Sequence, residues 1–522
     1  MQSGRTRDWG SLLVLGCALA YAAPLLASRY FPGLDLPWHG AAVAIMHEGG
    51  GERFLGYFEV ESQFSSYLTL YLLLDALANV TGDVAIAMQL LIAGYIVAFV
   101  AGARRLLRSF GGDGGLAVLA APAAYSVTLE FGFLGYALCF PLTFWLWARA
   151  RDLEAATHPV RAAAAMFALT AAIALTHPFA AVVALAGVAV IALLHAPLPR
   201  AGLGLGAAAV GIVPAVMAAM MLAGDAGADT TPVAASGAGL WDKLQTQDFV
   251  SPIESVATVP VRLFGFIPDW ACFVLGALGL LAALHGRQRS GAPSSDRILA
   301  RRSAGYLLVA LAAIYLVTPY TFYWPHHWYG AQPRLLPLIW VVALVVLRMR
   351  PGAPMRALHA PLAVSLAALL TLVGTSLLPF AREASDFRAV IEASEPEVKT
   401  LGLIDQPWAR WREPPSPWRH APAWLLAERG GYVSNLIFAA PASGNAGVIV
   451  PVRTRAHAPP RPASPPAGRA YWFDWEQHAS GWDQFLIRDR DVDRRHDYFA
   501  GHAGEVALVI QQGRWRLYRR LR

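Results

Sequence analysis

Residues 31 to 50, FPGLDLPWHGAAVAIMHEGG, put a carboxylate, an indole and two imidazoles directly after a hydrophobic segment. Pro37 suits the first turn of a helix, where its missing N–H costs nothing, so Asp35 falls near the N-cap and His39 one turn in. On such a helix Asp35 and His39 converge on one point, and the pair could act as general base and partner. It could equally hold a divalent cation, Mg or Mn, through oxygen and imidazole ligands. The alternative is that Asp35 is a helix cap and His39 a surface residue, and the D-x-x-x-H spacing does not choose between these readings. His47 and Glu48 read as the solvated face of the same helix.

Three further places carry basic or polar groups beside apolar residues. In THPF, 176 to 179, His177 beside Pro178 could turn the chain and line a cavity, or serve only as a turn histidine. In FYWPHHWYGAQPR, 322 to 334, Arg334 with His326 and His327 could bind phosphate, because a guanidinium presents a fixed fork that matches phosphate oxygens. The aromatic residues Tyr323, Trp324, Trp328 and Tyr329 of that stretch read as an interfacial belt. Arg262 in VPVRLFGF is a second phosphate-binding candidate beside apolar residues. The small residues of GFLGYALCFP, 132 to 141, read as helix packing. No Walker loop, G-x-G-x-x-G, H-E-x-x-H or G-x-S-x-G occurs, so ATP and nicotinamide chemistry have no support.

The elements that must position these groups are membrane helices. Of 522 residues 56% are hydrophobic and only 15% charged, the composition of a polytopic membrane protein. The formal charge of +7 comes from Arg at segment ends and in the tail, which fits cytoplasmic loops and speaks against a nucleic-acid face. Three cysteines, Cys17, Cys139 and Cys272, lie in apolar segments and offer no disulfide framework or cysteine metal site. The first segment reads as an uncleaved helix. Candidate spans are 10–28, 64–80, 84–103, 115–128, 131–147, 162–178, 179–197, 203–223, 268–285, 303–322, 335–349 and 357–379. The basic loops at 104–109, 149–161, 287–302 and 348–356 all face the cytoplasm only if residues 80 to 83 lie outside. With Arg5 and Arg7 also inside, 64–80 cannot cross; Asp75 in its middle agrees, since a carboxylate at bilayer depth costs about 2.5–3.5 kcal/mol. The chain is therefore expected to be mostly α, a bundle of about eleven transmembrane helices over residues 1–379, with a first outer loop at 30–83 that carries interfacial helices.

Beyond residue 380 Pro, Arg and Trp become frequent and membrane-length apolar runs stop. Residues 380–522 are expected to form a small α/β domain outside the membrane. ASDFRAVIEAS reads as helix, VKTLGLID and DQFLIRD as strands, and EVALVIQQ-GRW-RLYRR as a hairpin. PVRTRAHAPPRPASPPAGRA reads as a Pro-rich loop without packed structure of its own.

An N-terminal span, an outer loop opening on an acidic residue, an amphipathic helix, the Tyr/Leu-rich segment YLTLYLLLDAL (67–77) and a span ending AGARRLL together resemble the GT-C superfamily of integral membrane glycosyltransferases. The likeness is closest to bacterial multi-pass proteins with an Asp-x-Pro-x-His first loop and a small C-terminal outer domain. It covers roughly the first 350 residues in layout. It departs from the family pattern in lacking an acidic pair after Asp35 and in having LPWH there. The resemblance implies transfer of a hexose or pentose from a polyprenyl-phosphate-linked donor to a cell-surface glycan, lipid or protein. The reaction would lie on the outer face of the cytoplasmic (inner) membrane, with the N-terminus inside. By carry-over, Asp35 would be the catalytic carboxylate or a metal ligand. Two other functions fit the same composition. A transporter or lipid-carrier flippase would place its polar groups near the midplane, commonly in repeated halves, whereas here they gather outside and no internal repeat is seen. A non-catalytic scaffold for surface-polymer assembly would explain the missing second acidic residue.

Overall fold

The computed structural model describes residues 9–60, 67–217, 269–285, 295–319, 321–322, 328–347, 355–405, 416–434, 436, 452–454, 473–493 and 495–521. Along the chain run α1 (Trp9–Ala22), α2 (Leu36–His47), β1 (Phe58–Val60), α3 (Leu68–Thr81), α4 (Val84–Ser109), α5 (Val127–Glu130), α6 (Leu134–Asp152), α7 (Pro159–Thr176), α8 (Pro178–His195) and α9 (Leu198–Val210). Then follow α10 (Asp269–His285), α11 (Ser295–Val317), β2 (Thr321–Phe322), β3 (Trp328–Tyr329), α12 (Leu336–Leu347), α13 (His359–Leu372) and α14 (Leu378–Ala393). The C-terminal part holds β4 (Lys399–Ile404), α15 (Pro422–Arg429), β5 (Tyr432–Val433), β6 (Val452–Thr454), α16 (Trp475–His478), β7 (Gln484–Arg488), β8 (Val506–Gln512) and β9 (Trp515–Arg520).

The chain divides into two compact units, one of Met1–Pro24, Ile92–Leu129 and Leu134–Thr375, the other of Leu25–Leu91, Glu130–Phe133 and Ser376–Arg522. The segment 25–91, with α2 and α3, thus belongs to the same unit as the C-terminal residues.

Among the described residues seven helices are long and apolar enough to cross a membrane, from Gly10–Ala27 to Arg356–Ala393. Three large polar side chains inside the first unit bond to backbone, which hydrocarbon favours: Tyr125 donates to Tyr21 O at 2.6 Å, Tyr21 to Ser365 O at 2.6 Å, and Trp147 to Ala184 O at 2.9 Å. One expected span is overturned. Residues 115–128 do not form a regular helix but two buried 3-10 segments, Gly114–Leu119 and Ala121–Tyr125, followed by α5. Gly114 and Gly115 lower helix propensity at its start, and Pro122 removes a donor in its middle. A Cβ on Gly115 would lie 2.7 Å from Leu358, so the tight packing itself selects glycine.

In the second unit α3 has 14 residues, roughly 21 Å of helix, against the roughly 30 Å of a hydrocarbon core. It ends on Gly82 in the left-handed region. A five-stranded sheet has the order β5-β4-β7-β9-β8, parallel from β5 to β7 and antiparallel from β7 to β8. The strands expected at 398–405, 483–489 and the 505–520 hairpin are β4, β7, β8 and β9, and the hairpin turns on Gly513 at φ +53. The reading of 451–470 as structureless is corrected at its start: β6 pairs antiparallel with β1, with Glu59 opposite Arg453. Val452, fully buried, outweighs the Pro-rich composition that follows it. Against the sheet, Phe380 and Phe387 of α14 meet Trp418 at 4.5 and 5.5 Å and Phe387 meets Trp515 at 4.5 Å.

Candidate active site

Asp35 stands at the N-cap position of α2, with Pro37 in the first turn, as its sequence requires. Its side chain makes no capping hydrogen bond; its backbone carbonyl instead accepts from Trp38 N at 3.0 Å and His39 N at 3.2 Å. The carboxylate is therefore not spent on satisfying the helix end, and 22% of the side chain remains exposed. The segment 130–133 braces the backbone beneath it: Leu34 N donates to Glu130 O at 2.8 Å and Asp35 N to Phe131 O at 3.1 Å. Gly132, at φ +79, lets this segment approach so closely that a Cβ there would lie 2.8 Å from Asp35 N.

The imidazole set against the Asp35 carboxylate belongs to His420, with Nε2 3.8 Å from Oδ1. That distance is too long for a direct hydrogen bond. Burial, with the nearby Arg419 guanidinium adding to it, pushes His420 well below the usual histidine range, so the ring is neutral at pH 7 and the contact is no ion pair. Trp38 stacks on His420 with ring centroids 3.6 Å apart. His39 is half-buried, and its Nδ1 lies 2.9 Å from Tyr71 Oη. Burial lowers its pKa to about 4. Neutral imidazole can accept a proton, so the arrangement offers a carboxylate base with the uncharged His420 ring beside it, while the His39 ring is engaged with Tyr71. His420 and Tyr71 were not singled out in the sequence. The signal that could have found His420 is the run PWRHAPAW (417–424), a histidine among tryptophans.

In the first unit two sequence-selected residues meet. Arg334 Nη1 lies 3.1 Å from His177 Nε2, and since a guanidinium only donates, His177 accepts and carries its proton on Nδ1. Tyr136 packs edge-on against His177, with centroids 4.9 Å apart, and lies under Arg334 at 5.5 Å. Both residues are buried, His177 at 2% and Arg334 at 5% exposure. Arg262, His326 and His327 lie outside the described residues. His47 and Glu48, read as a solvated face, are half-exposed and paired: His47 with Asp75 at 3.1 Å and Glu48 with Arg53.

Among the described residues no three His, Cys, Asp or Glu side chains converge as a metal site. Asp35 with a single imidazole at 3.8 Å falls short of the donor set that holds Mg or Mn without substrate and water, so no step below runs through a metal.

No family model and no curated protein matches the sequence. Solved structures do. ArnT from Cupriavidus metallidurans, in its crystal structure bound to undecaprenyl phosphate, superimposes with a TM-score of 0.55 over 98% of both chains at 11% identity. The chain has the GT-C fold. The apo form of ArnT matches the chain equally, at TM-score 0.55 and 12% identity over 99% of it and 98% of ArnT. The arabinofuranosyltransferase AftD from Mycobacteria overlaps at TM-score 0.49 and 15% identity over 42% of its own length. The shared fold and the apolar helices make this a multi-pass membrane protein.

Proposed function

We propose that this protein is a membrane glycosyltransferase that moves a sugar from a polyprenyl-phosphate-linked donor to a cell-surface glycan, lipid or protein on the outer face of the cytoplasmic membrane. The observation that carries the reading is Asp35, a partly exposed carboxylate at a helix start that it does not cap, on the fold shared with ArnT. Undecaprenyl phosphate bound to ArnT is the chemical precedent for the donor's lipid.

In this reading the Asp35 carboxylate takes the proton of the acceptor hydroxyl as its oxygen attacks the anomeric carbon. The bond from that carbon to the phosphate oxygen breaks, polyprenyl phosphate leaves with the electron pair, and the anomeric centre inverts. General-base assistance of this kind is worth about 10²–10⁴ in rate. Arg334, in the first unit, is read from the sequence as a phosphate ligand. His177, fixed as an acceptor toward it, orients the guanidinium.

The test compares lipid-linked and surface glycans by mass spectrometry in a strain lacking the protein, complemented with wild type or Asp35→Asn at matched membrane levels. A sugar restored by wild type and not by the variant supports transfer at Asp35. Full restoration by Asp35→Asn removes Asp35 from the chemistry, and an unchanged glycan profile in the deletion strain sinks the transferase reading.

A further inference from the structure

At the other end of α2 from Asp35, within the second unit, a cavity of about 210 Å³ is walled by Arg29, Arg53, Glu48, Asp83, Glu428 and Trp424, with His47 at its edge. Its charged groups are already matched to one another. Arg29 reaches Asp83 at 2.5 Å and Glu428 at 3.0 Å, and Tyr30 Oη donates to the same Glu428 oxygen at 2.6 Å. Arg53 pairs with Glu48 and donates to the carbonyls of Ala427 and Glu428 at 3.1 and 2.8 Å. The second oxygen of Asp83 caps α4 by accepting from Ile86 N at 2.9 Å. These five side chains nevertheless stay between 20% and 31% exposed, and all five line the cavity.

We propose that this cavity binds one neutral, hydroxyl-rich sugar unit of the acceptor, remote from the unit that reacts. Two guanidinium groups against three carboxylates leave no surplus positive charge to hold a phosphate or an acidic sugar. A hydroxyl group donates and accepts at once, so it can add to this network without displacing any ion pair. The volume lies below the roughly 300–1,000 Å³ typical of larger ligands, which suits a single ring. From Asp35 to His47 the helix rises roughly 18 Å, further than one ring spans, so a sugar in the cavity is not the one attacked at Asp35. The acceptor is then an oligosaccharide or glycolipid with several sugars. The word acceptor rests on the transferase reading; sugar binding itself does not.

The test uses the full chain in lipid nanodiscs, with neutral linear trisaccharides of glucose, mannose and galactose as probes and inorganic phosphate as competitor, read by saturation-transfer NMR and calorimetry. Wild type is expected to bind at least one trisaccharide, and phosphate is expected not to compete. Glu428→Gln removes an acceptor charge, and Ala78→Leu fills the cavity from α3; each is expected to weaken binding at least tenfold with the thermal midpoint kept near wild type. No binding by wild type, competition by phosphate, or unchanged binding in both folded variants overturns the proposal. Glycan transfer that depends on Asp35 while the cavity variants bind as wild type removes this inference and leaves the transferase reading. Cavity-dependent binding with no Asp35-dependent glycan does the reverse.

Discussion

At Asp35 the decisive fact is that the carboxylate leaves the helix N–H groups to other partners. Asp35→Asn keeps the side chain's size, so the stability of the isolated protein is expected to stay within about 0.5 kcal/mol. Transfer of the sugar, measured with radiolabelled lipid-linked donor, is expected to fall by about 10²–10⁴. A normal rate in the variant would return Asp35 to a structural role. His39 and His420 carry the pH dependence of this region. Both have folded pKa values below the ordinary histidine value near 6.5, His39 at about 4. The unfolded chain therefore binds more protons between those limits, and stability is fully present above about pH 6.5 and falls as pH drops through that window. Thermal unfolding in detergent is expected to show a lower midpoint at pH 5 than at pH 7.5, with the difference reduced in His39→Gln. An unchanged midpoint would mean that these rings are already solvated. The pair D-x-x-x-H was legible in the sequence, but the ring facing the carboxylate was not, because His420 lies hundreds of residues away along the chain.

Among the elements, two small pieces hold the site. The 130–133 segment supports Asp35 through Gly132, whose φ of +79 and close approach to Asp35 N exclude a side chain. Gly132→Ala is expected to cost about 1–2 kcal/mol from backbone strain alone. Because relief of the contact must shift the Asp35 backbone, transfer is expected to fall more steeply than stability does, which parallel rate and unfolding measurements would show. Trp418 anchors the segment that carries His420, stacking on Phe380 and meeting Trp515 at 5.3 Å. Trp418→Ala is expected to cost about 3–5 kcal/mol through the cavity it leaves; a change below 1 kcal/mol would mean that the aromatic cluster does not carry this segment. The strands β4, β7, β8 and β9 were legible because alternating or continuous apolar runs bounded by turns identify them locally. The β1–β6 pair was not, since three residues in each strand give no period, and only their partner makes them strands.

For the whole molecule the topology is the testable quantity. The eleven crossings and cytoplasmic N-terminus expected from the basic loops would put the C-terminal residues outside. Alkaline phosphatase fused after residue 522 is expected to be active, and the same reporter placed at residues 110–113, in the turn that follows α4 and its basic end, inactive. The opposite pattern would restore a crossing at 64–80. The expected span at 115–128 does not form a regular helix, and the physical reason lies in Gly114, Gly115 and Pro122, which hydropathy alone does not weigh.

By itself the sequence determined that the chain is a helical membrane protein, where most of its helices lie, and that Asp35 begins a helix, because hydropathy and cap chemistry are local properties. Only the tertiary structure decided that residues 25–91 fold with the C-terminal residues, that His420 is the ring beside Asp35, and that Arg29, Arg53 and Glu428 enclose a cavity. Each of those depends on contacts between residues far apart in the chain, and neither composition nor periodicity carries that information.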